Sequence, residues 1–271
     1  MAKNTEILEQ YEGNWKTSMG GWLPKEGKVY LRGKEVLSEL KEYRWHQYLL
    51  YGITGIDSEK LARLYEGIWV ISCSFPDPRL WNNQVAALGG SVRSTGVLST
   101  AGALAVTEAT IYGLKPIKGV MDFIYRASDS LNNGNSLENI VKSELRRYRS
   151  IYGYGRPLRA NDERVAPLME FAHSIGAGLG PYTKLAFEID EYMKASKYNY
   201  RINIAGVSAA LVADEGITPQ QHYHMASVAF SAGVIPCYID AADKPEGTFF
   251  PYRVSAVKYT GAQNKKSWGD R

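Results

Sequence analysis

The chain has 271 residues, 45% of them hydrophobic and 22% charged, with 32 basic against 28 acidic side chains and a formal net charge of +4. This composition excludes a disordered or fibrous chain, and a near-balanced charge with no concentrated basic face gives no ground for nucleic-acid binding. The length leaves room for a large core in one compact unit, or for a main body carrying a smaller lobe.

Cys73 and Cys237 are the two cysteines, far apart and without a CxxC, the pattern of a reduced, disulfide-free chain. The N-terminus, MAKNTEILEQYEG, has no apolar signal core, and together these features predict a cytoplasmic protein. The least polar stretch, Val85 to Ile111, contains Arg93 and Glu108 and is rich in Gly, Ala, Ser and Thr. A buried helix of a soluble protein is therefore expected there, not a membrane span.

In chain order, residues 15–32 (WKTSMGGWLPKEGKVYLR) read as an extended segment around a Gly/Pro turn, with Val29-Tyr30-Leu31 as its strand-like piece. Helices dominate afterwards. Glu35 to Leu40 reads as a short amphipathic turn or two, and Trp45 to Gly52 as a helix. Ser58 reads as the cap of a helix with Leu61, Leu64, Ile68 and Ile71 on one face, stopped by Pro76 and Pro78. From Trp81 to Tyr112 a long helical region rich in small residues is expected, bent or broken at Gly89-Gly90, and ended by Gly113 and Pro116. A crossing at Lys115–Gly119 then leads into a helix from Val120 to about Ser130, and Ser136 caps Leu137 to Tyr148. Further helices are expected over Asp162–His173, Lys184–Ser196 and Asn203–Ala213. Thr218-Pro219-Gln220-Gln221 has the cap, the first-turn proline and the third-position Gln of a helix start, for a helix running to about Ala232. A short helix over Ile235–Ala242 and an extended tail complete the chain, and the fold class is all-α.

The stretch from Tyr148 to Val165, YRSIYGYGRPLRANDERV, packs Arg149, Arg156, Arg159 and Arg164 around Gly153, Gly155 and Pro157. Arginine pairs bidentately with carboxylate and phosphate, so this is a candidate anion-holding loop. GYG has neither a third glycine nor a following GKS or GKT, which excludes both nucleotide-loop readings. His222 and His224 stand two apart and would point to different sides of a helix, against a metal pair, and no metal is expected.

Several of these segments resemble the citrate synthase superfamily, including its short citryl-CoA lyase members. Val29-Tyr30-Leu31-Arg32-Gly33 with Tyr48-Leu49-Leu50 and Thr54-Gly55 looks like that family's entry segment. Gly153-Tyr154-Gly155 with Asp162-Glu163-Arg164 is similar to its signature loop, Arg201-Ile202-Asn203-Ile204 to the approach to its catalytic aspartate, and Arg253 with Tyr259 and Gly261 to its tail. The resemblance implies a homodimer of two-domain helical protomers, here a large domain over 1–119 and 214–271 and a small one over 120–213. It also implies a coenzyme A thioester and a carboxylate-bearing substrate as small-molecule partners, with no nucleic acid or membrane involved.

The family's three proton-handling groups do not recur. Lys118 of Pro116-Ile117-Lys118-Gly119 stands where a histidine holds the enol oxygen, Arg156 replaces the signature-loop histidine, and Ala205 takes the place of the aspartate base. By the same resemblance, Arg164 and Arg253 bind substrate carboxylate, Arg159 falls near the position that meets coenzyme A, and Arg79 and Asn82 add polar groups near the cleft. The expectation is a non-standard enzyme making or breaking a carbon–carbon bond beside a thioester, with Lys118 and Arg156 acting by charge. The rival is a non-catalytic subunit that binds coenzyme A or carboxylate. For Lys118 the bland alternative is an ion pair with Asp122 one turn on.

Overall fold

A computed structural model describes residues 5–72, 75–156, 161–249 and 251–261. Among these the chain forms twelve α-helices and one small sheet. A short exposed helix α1 (Glu6–Tyr11) precedes strands β1 (Gly20–Leu23), β2 (Lys28–Leu31) and β3 (Lys34–Glu35), which pair antiparallel in that order. The sequence signals only the Val29–Leu31 strand, because β1 opens with two glycines. Gly20 is needed there for close approach: a Cβ would lie 2.4 Å from the Tyr30 carbonyl oxygen across the ladder. The turn expected over Glu35–Leu40 is present, with the Glu39 N–H donating to the Glu35 carbonyl at 2.9 Å, but it does not extend into a helix. Glu35 ends β3 and is buried, and its carboxylate accepts from the Ser38 backbone N–H at 2.6 Å, closing a turn instead of starting a helix.

Helix α2 (Trp45–Thr54) ends at Gly55, and α3 (Glu59–Ser72) starts where Ser58 Oγ accepts from Leu61 N–H at 3.2 Å, as its sequence implies. The small-residue region divides into α4 (Trp81–Ser91) and α5 (Gly96–Ala105). The break comes at residues 92–95, where Arg93 takes φ 60°, not at Gly89-Gly90. Those two glycines stay helical because neighbours occupy the space of a side chain. A Cβ would meet Ser99 Oγ at 2.2 Å from Gly89 and the Tyr238 carbonyl at 2.4 Å from Gly90.

Helix α6 (Leu114–Asn132) starts six residues before the expected Val120, so Pro116, Lys118 and Gly119 all lie in its first turns. Proline is tolerated there because the first backbone N–H groups of a helix have no partner within it. Then follow α7 (Leu137–Tyr148), α8 (Val165–Ser174), α9 (Pro181–Ala195), α10 (Ile204–Ala213), α11 (Pro219–Ser227) and α12 (Ser231–Ala242). Thr218 and Gln221 form the expected capping box, but α11 stops at Ser227 and α12 begins four residues on. Pro219–Ala242 is long and apolar enough by composition to cross a membrane, yet it is two helices rather than one span, packed against α6 and α4 respectively.

The core forms around α10, which is apolar on every side and packs against α3, α6, α8 and α9. Leu50, Leu64, Tyr65, Phe123, Ile189 and Leu211 are all but inaccessible in this cluster. Each such side chain contributes about 1.5–3 kcal/mol by leaving water. A second group, α4, α5 and α12, packs through the small residues Ala86, Ala103 and Val234, and through Ala87, Cys237 and Ala241. Its outer face carries exposed Leu88, Val97, Leu98, Ile235 and Ile239.

Candidate functional site

The three segments singled out by the sequence meet at the N-terminal ends of α6 and α10. Glycine makes the approach possible. Gly153 has φ +86°, and a Cβ there would lie 2.3 Å from Val120 Cγ2 and 3.0 Å from Gly206 Cα. Gly119 is covered by the Tyr152 ring, 2.4 Å from where its Cβ would be. Lys118, Arg156 and Ala205 are thus on segments in direct contact, although they are scattered along the chain.

Two buried aspartates and one asparagine hold this junction. Asn203 Oδ1 accepts from the N–H groups of Ala205 and Gly206, its Nδ2 donates to the Gly155 carbonyl at 3.0 Å, and its backbone N–H donates to Gly153 O at 2.9 Å. Asp190 accepts from Arg201 Nη2 at 2.7 Å and from Ile202 N–H. Asp162, whose side chain is inaccessible, accepts from Arg164 Nε and Nη2, both at 2.8 Å, and from Ile204 N–H at 3.0 Å. Burial alone would push the Asp162 carboxyl up, but the hydrogen bonds from Arg164 and Ile204 outweigh it and bring the group down to about 2. The first N–H groups of α10 are therefore all engaged within the chain.

Arg156 completes the cluster, donating to Glu163 at 2.6 Å with Nη1 lying 3.6 Å from Asp162. The guanidinium groups of Arg156 and Arg164 do converge, each about a quarter exposed. They converge on acidic side chains of their own chain, which the arginine count could not reveal. Arg164 presents its Nε–Nη2 edge to Asp162. Arg149 is left out, closing α7 in the left-handed conformation with φ 62°. Arg159 lies outside the described residues.

Lys118 does not pair with Asp122, which binds Arg126 instead. Its Nζ donates to Gln220 Oε1 at 2.6 Å, and Gln220 Nε2 lies 2.9 Å from His224 Nε2. An amide whose oxygen accepts from lysine presents N–H to the next partner, so His224 Nε2 is the acceptor and its Nδ1 carries the proton. Gln220 and His224 were missed by motif reasoning because this chain runs between two helices, α6 and α11, a hundred residues apart in sequence. The spacing argument against a His222–His224 pair holds: His222 is buried and His224 exposed. Among the described residues no group of three His, Cys, Asp or Glu side chains is placed to share a metal ion.

The remaining candidates lie apart. Arg79 is 83% exposed and bound to Asp77 through Nε and Nη2. Asn82 is buried inside α4. Arg253 sits on the exposed tail, before a short 3-10 turn over Val254–Ala256. A separate open groove of about 910 Å³ runs between α8 and α9, lined by Val165, Met169 and Phe187 with Lys184 and Glu188 on its rim.

A bundle of this connectivity, with glycine-mediated contact between a buried apolar helix and an arginine loop, has the citrate synthase/citryl-CoA lyase fold. The chain matches the structure of citryl-CoA lyase from Hydrogenobacter thermophilus with a TM-score of 0.81 and 19% identity, over 94% of this chain and 97% of that one. It matches citrate synthase from Thermotoga maritima at 0.61 and 14% identity, over 94% of this chain and 95% of that one. Methanosaeta concilii ATP citrate lyase, solved with (3S)-citryl-CoA, matches at 0.74 and 14% identity, over 97% of this chain but 45% of that one. No protein-family model and no curated protein sequence matches this chain.

Proposed function

We propose that the protein binds a coenzyme A thioester and makes or breaks the carbon–carbon bond beside it in a carboxylate-bearing substrate. The observation that carries this reading is the junction of Lys118, Arg156 and Ala205 with Arg164, in a fold whose solved examples hold citryl-CoA, or citrate and coenzyme A. In the cleaving direction a substrate hydroxyl loses its proton, the carbon–carbon bond breaks, its electron pair moves onto the thioester as an enolate, and the enolate carbon is protonated. Lys118 is the cation for the enolate oxygen, and the partly exposed guanidinium groups of Arg156 and Arg164 hold carboxylate oxygens. Ala205 can neither take nor give a proton, so the proton steps fall to a group other than the residue at this position.

The protomer works as a homodimer in this reading. Leu88, Val97, Leu98, Ile235 and Ile239 form the apolar face that a second copy covers, and the tail brings Arg253 to the partner's cleft, with exposed Tyr252, Val254 and Tyr259 docking beside it. The smaller lobe, 120–213, closes on the body formed by 1–119 and 214–271, the boundary falling in the first turns of α6. Arg159 meets the coenzyme A phosphates, and the reaction takes place in the cytoplasm without a metal.

The test is incubation with citryl-CoA and related acyl-CoA adducts, following appearance of the shorter thioester. Turnover that disappears in Lys118→Ala is expected; no turnover of any adduct overturns the catalytic reading. A second reading is a non-catalytic binding subunit, favoured by the internal pairing of Arg156 and Arg164 and by the alanine at 205. Calorimetry with coenzyme A, acetyl-CoA and citrate separates the two, because that subunit binds without converting.

A further inference from the structure

Behind the first turn of α6 lies a small enclosed cavity of about 30 Å³, away from the arginine cluster and between α3, α10 and α11. Ile117 and Phe230 supply apolar wall. Its polar wall consists of Trp69 and Ser72 from α3, Ser208 from α10 and His222 from α11. Trp69 Nε1 and His222 Nε2 are buried without a hydrogen-bond partner among the described residues. Buried N–H groups without an acceptor are rare in folded proteins.

The hydroxyl inventory shows what is wanted there. Ser72 Oγ donates to the Ile68 carbonyl and Ser208 Oγ to the Ala205 carbonyl at 3.2 Å. Both hydroxyl protons are committed, and each oxygen keeps lone pairs that can only accept. The histidine tautomer follows from Tyr65, whose buried hydroxyl lies 3.3 Å from His222 Nδ1 and has no other hydrogen-bond partner among the described residues. A buried phenol needs an acceptor for its proton, so Tyr65 donates to Nδ1 and the imidazole proton sits on Nε2.

We infer that this cavity is a binding site for one water molecule, which accepts from Trp69 Nε1–H and His222 Nε2–H and donates to Ser72 Oγ and Ser208 Oγ. Two donors and two acceptors match the four hydrogen bonds of water, and the volume exceeds the roughly 10–15 Å³ that one water needs. An apolar guest would leave both N–H groups unsatisfied, and an anion would have no cation beside it. The water ties α3, α10 and α11 together behind the candidate site. Through Ser208 it is two hydrogen bonds from the Ala205 carbonyl, in the first turn of α10. The inference holds whether or not the protein is an enzyme.

The test is long-range ¹H–¹⁵N correlation and water cross-relaxation on the full-length ¹⁵N-labelled protein, with Trp69 and His222 assigned by triple resonance and checked in Trp69→Phe. The expected result is a neutral His222 protonated at Nε2, with both that proton and the Trp69 indole proton showing contacts to a long-lived water. Protonation at Nδ1, or absence of either water contact, overturns the proposal. A crystal soaked in bromide gives a second arm: an anomalous peak between Trp69 and His222 makes the site an anion site instead, and oxygen density there supports the water.

Discussion

The carboxylate of Asp162 faces the guanidinium of Arg164 two residues along the chain, with Nε and Nη2 both at 2.8 Å and the aspartate closed off from solvent. The same carboxylate receives the Ile204 N–H at the start of α10. One buried charge thus orients the arginine and anchors the helix on which Ala205 stands.

The two partners differ in exposure: without Arg164 the Asp162 carboxylate loses its bidentate partner where water does not reach, whereas Arg164 is about a quarter exposed. Arg164→Ala is expected to destabilise the protein by about 3–5 kcal/mol, because it strands a buried carboxylate. Asp162→Asn, which keeps an acceptor for Ile204 N–H, should lose less, about 2 kcal/mol. Urea unfolding followed by circular dichroism measures both. Equal losses would mean that the charge on Asp162 contributes little.

Acid sensitivity should come in two windows. Burial lowers His222 from 6.5 to about 4, and Tyr65 is the titratable side chain facing it. Above pH 6.5 the group is neutral in both states. Between 6.5 and 4 the unfolded chain takes up a proton that the folded one refuses, so stability falls as pH falls, by about 3 kcal/mol in all. Asp162, held at about 2 against an ordinary 3.8, adds a further loss between those values, as its carboxylate is protonated first in the unfolded chain. Urea midpoints from pH 8 to 2 should show this, and His222→Phe should flatten the upper window only.

Gly153 and Gly176 separate the two costs of replacing a glycine. Both have positive φ, +86° and +71°, but a Cβ at Gly153 collides with Val120 and Gly206 while one at Gly176 meets nothing within 4 Å. Gly176→Ala should cost about 1 kcal/mol, the left-handed penalty alone. Gly153→Ala should cost roughly 3 kcal/mol or more, since the junction must also open. Thermal melting of the two variants measures the difference, and similar melting points would show that Val120 can yield.

The Lys118–Gln220–His224 chain is exposed, so its worth to stability is small. Gln220→Leu and Lys118→Met are each expected to change unfolding free energy by about 1 kcal/mol or less. If Lys118 stabilises an enolate, Lys118→Met lowers turnover of the thioester by about 10²–10³-fold with the fold intact. A large stability loss would instead make the residue structural.

The sequence by itself determined the helices whose ends carry local chemistry. Ser58 and Ser136 each cap the helix they precede, and Thr218 with Gln221 forms a capping box, because these contacts span three residues or fewer. It also brought out the three segments around Lys118, Arg156 and Ala205. Helix interiors were another matter: whether Gly89-Gly90 breaks a helix depends on Ser99 and Tyr238, which the chain supplies from α5 and α12. Likewise, four arginines in one loop say nothing of where their charge goes. That Arg156 meets Glu163, Lys118 meets Gln220 and Asp162 receives the Ile204 N–H was decided only in the tertiary structure, since a long or charged side chain takes its partner from whatever folding brings within about 3 Å.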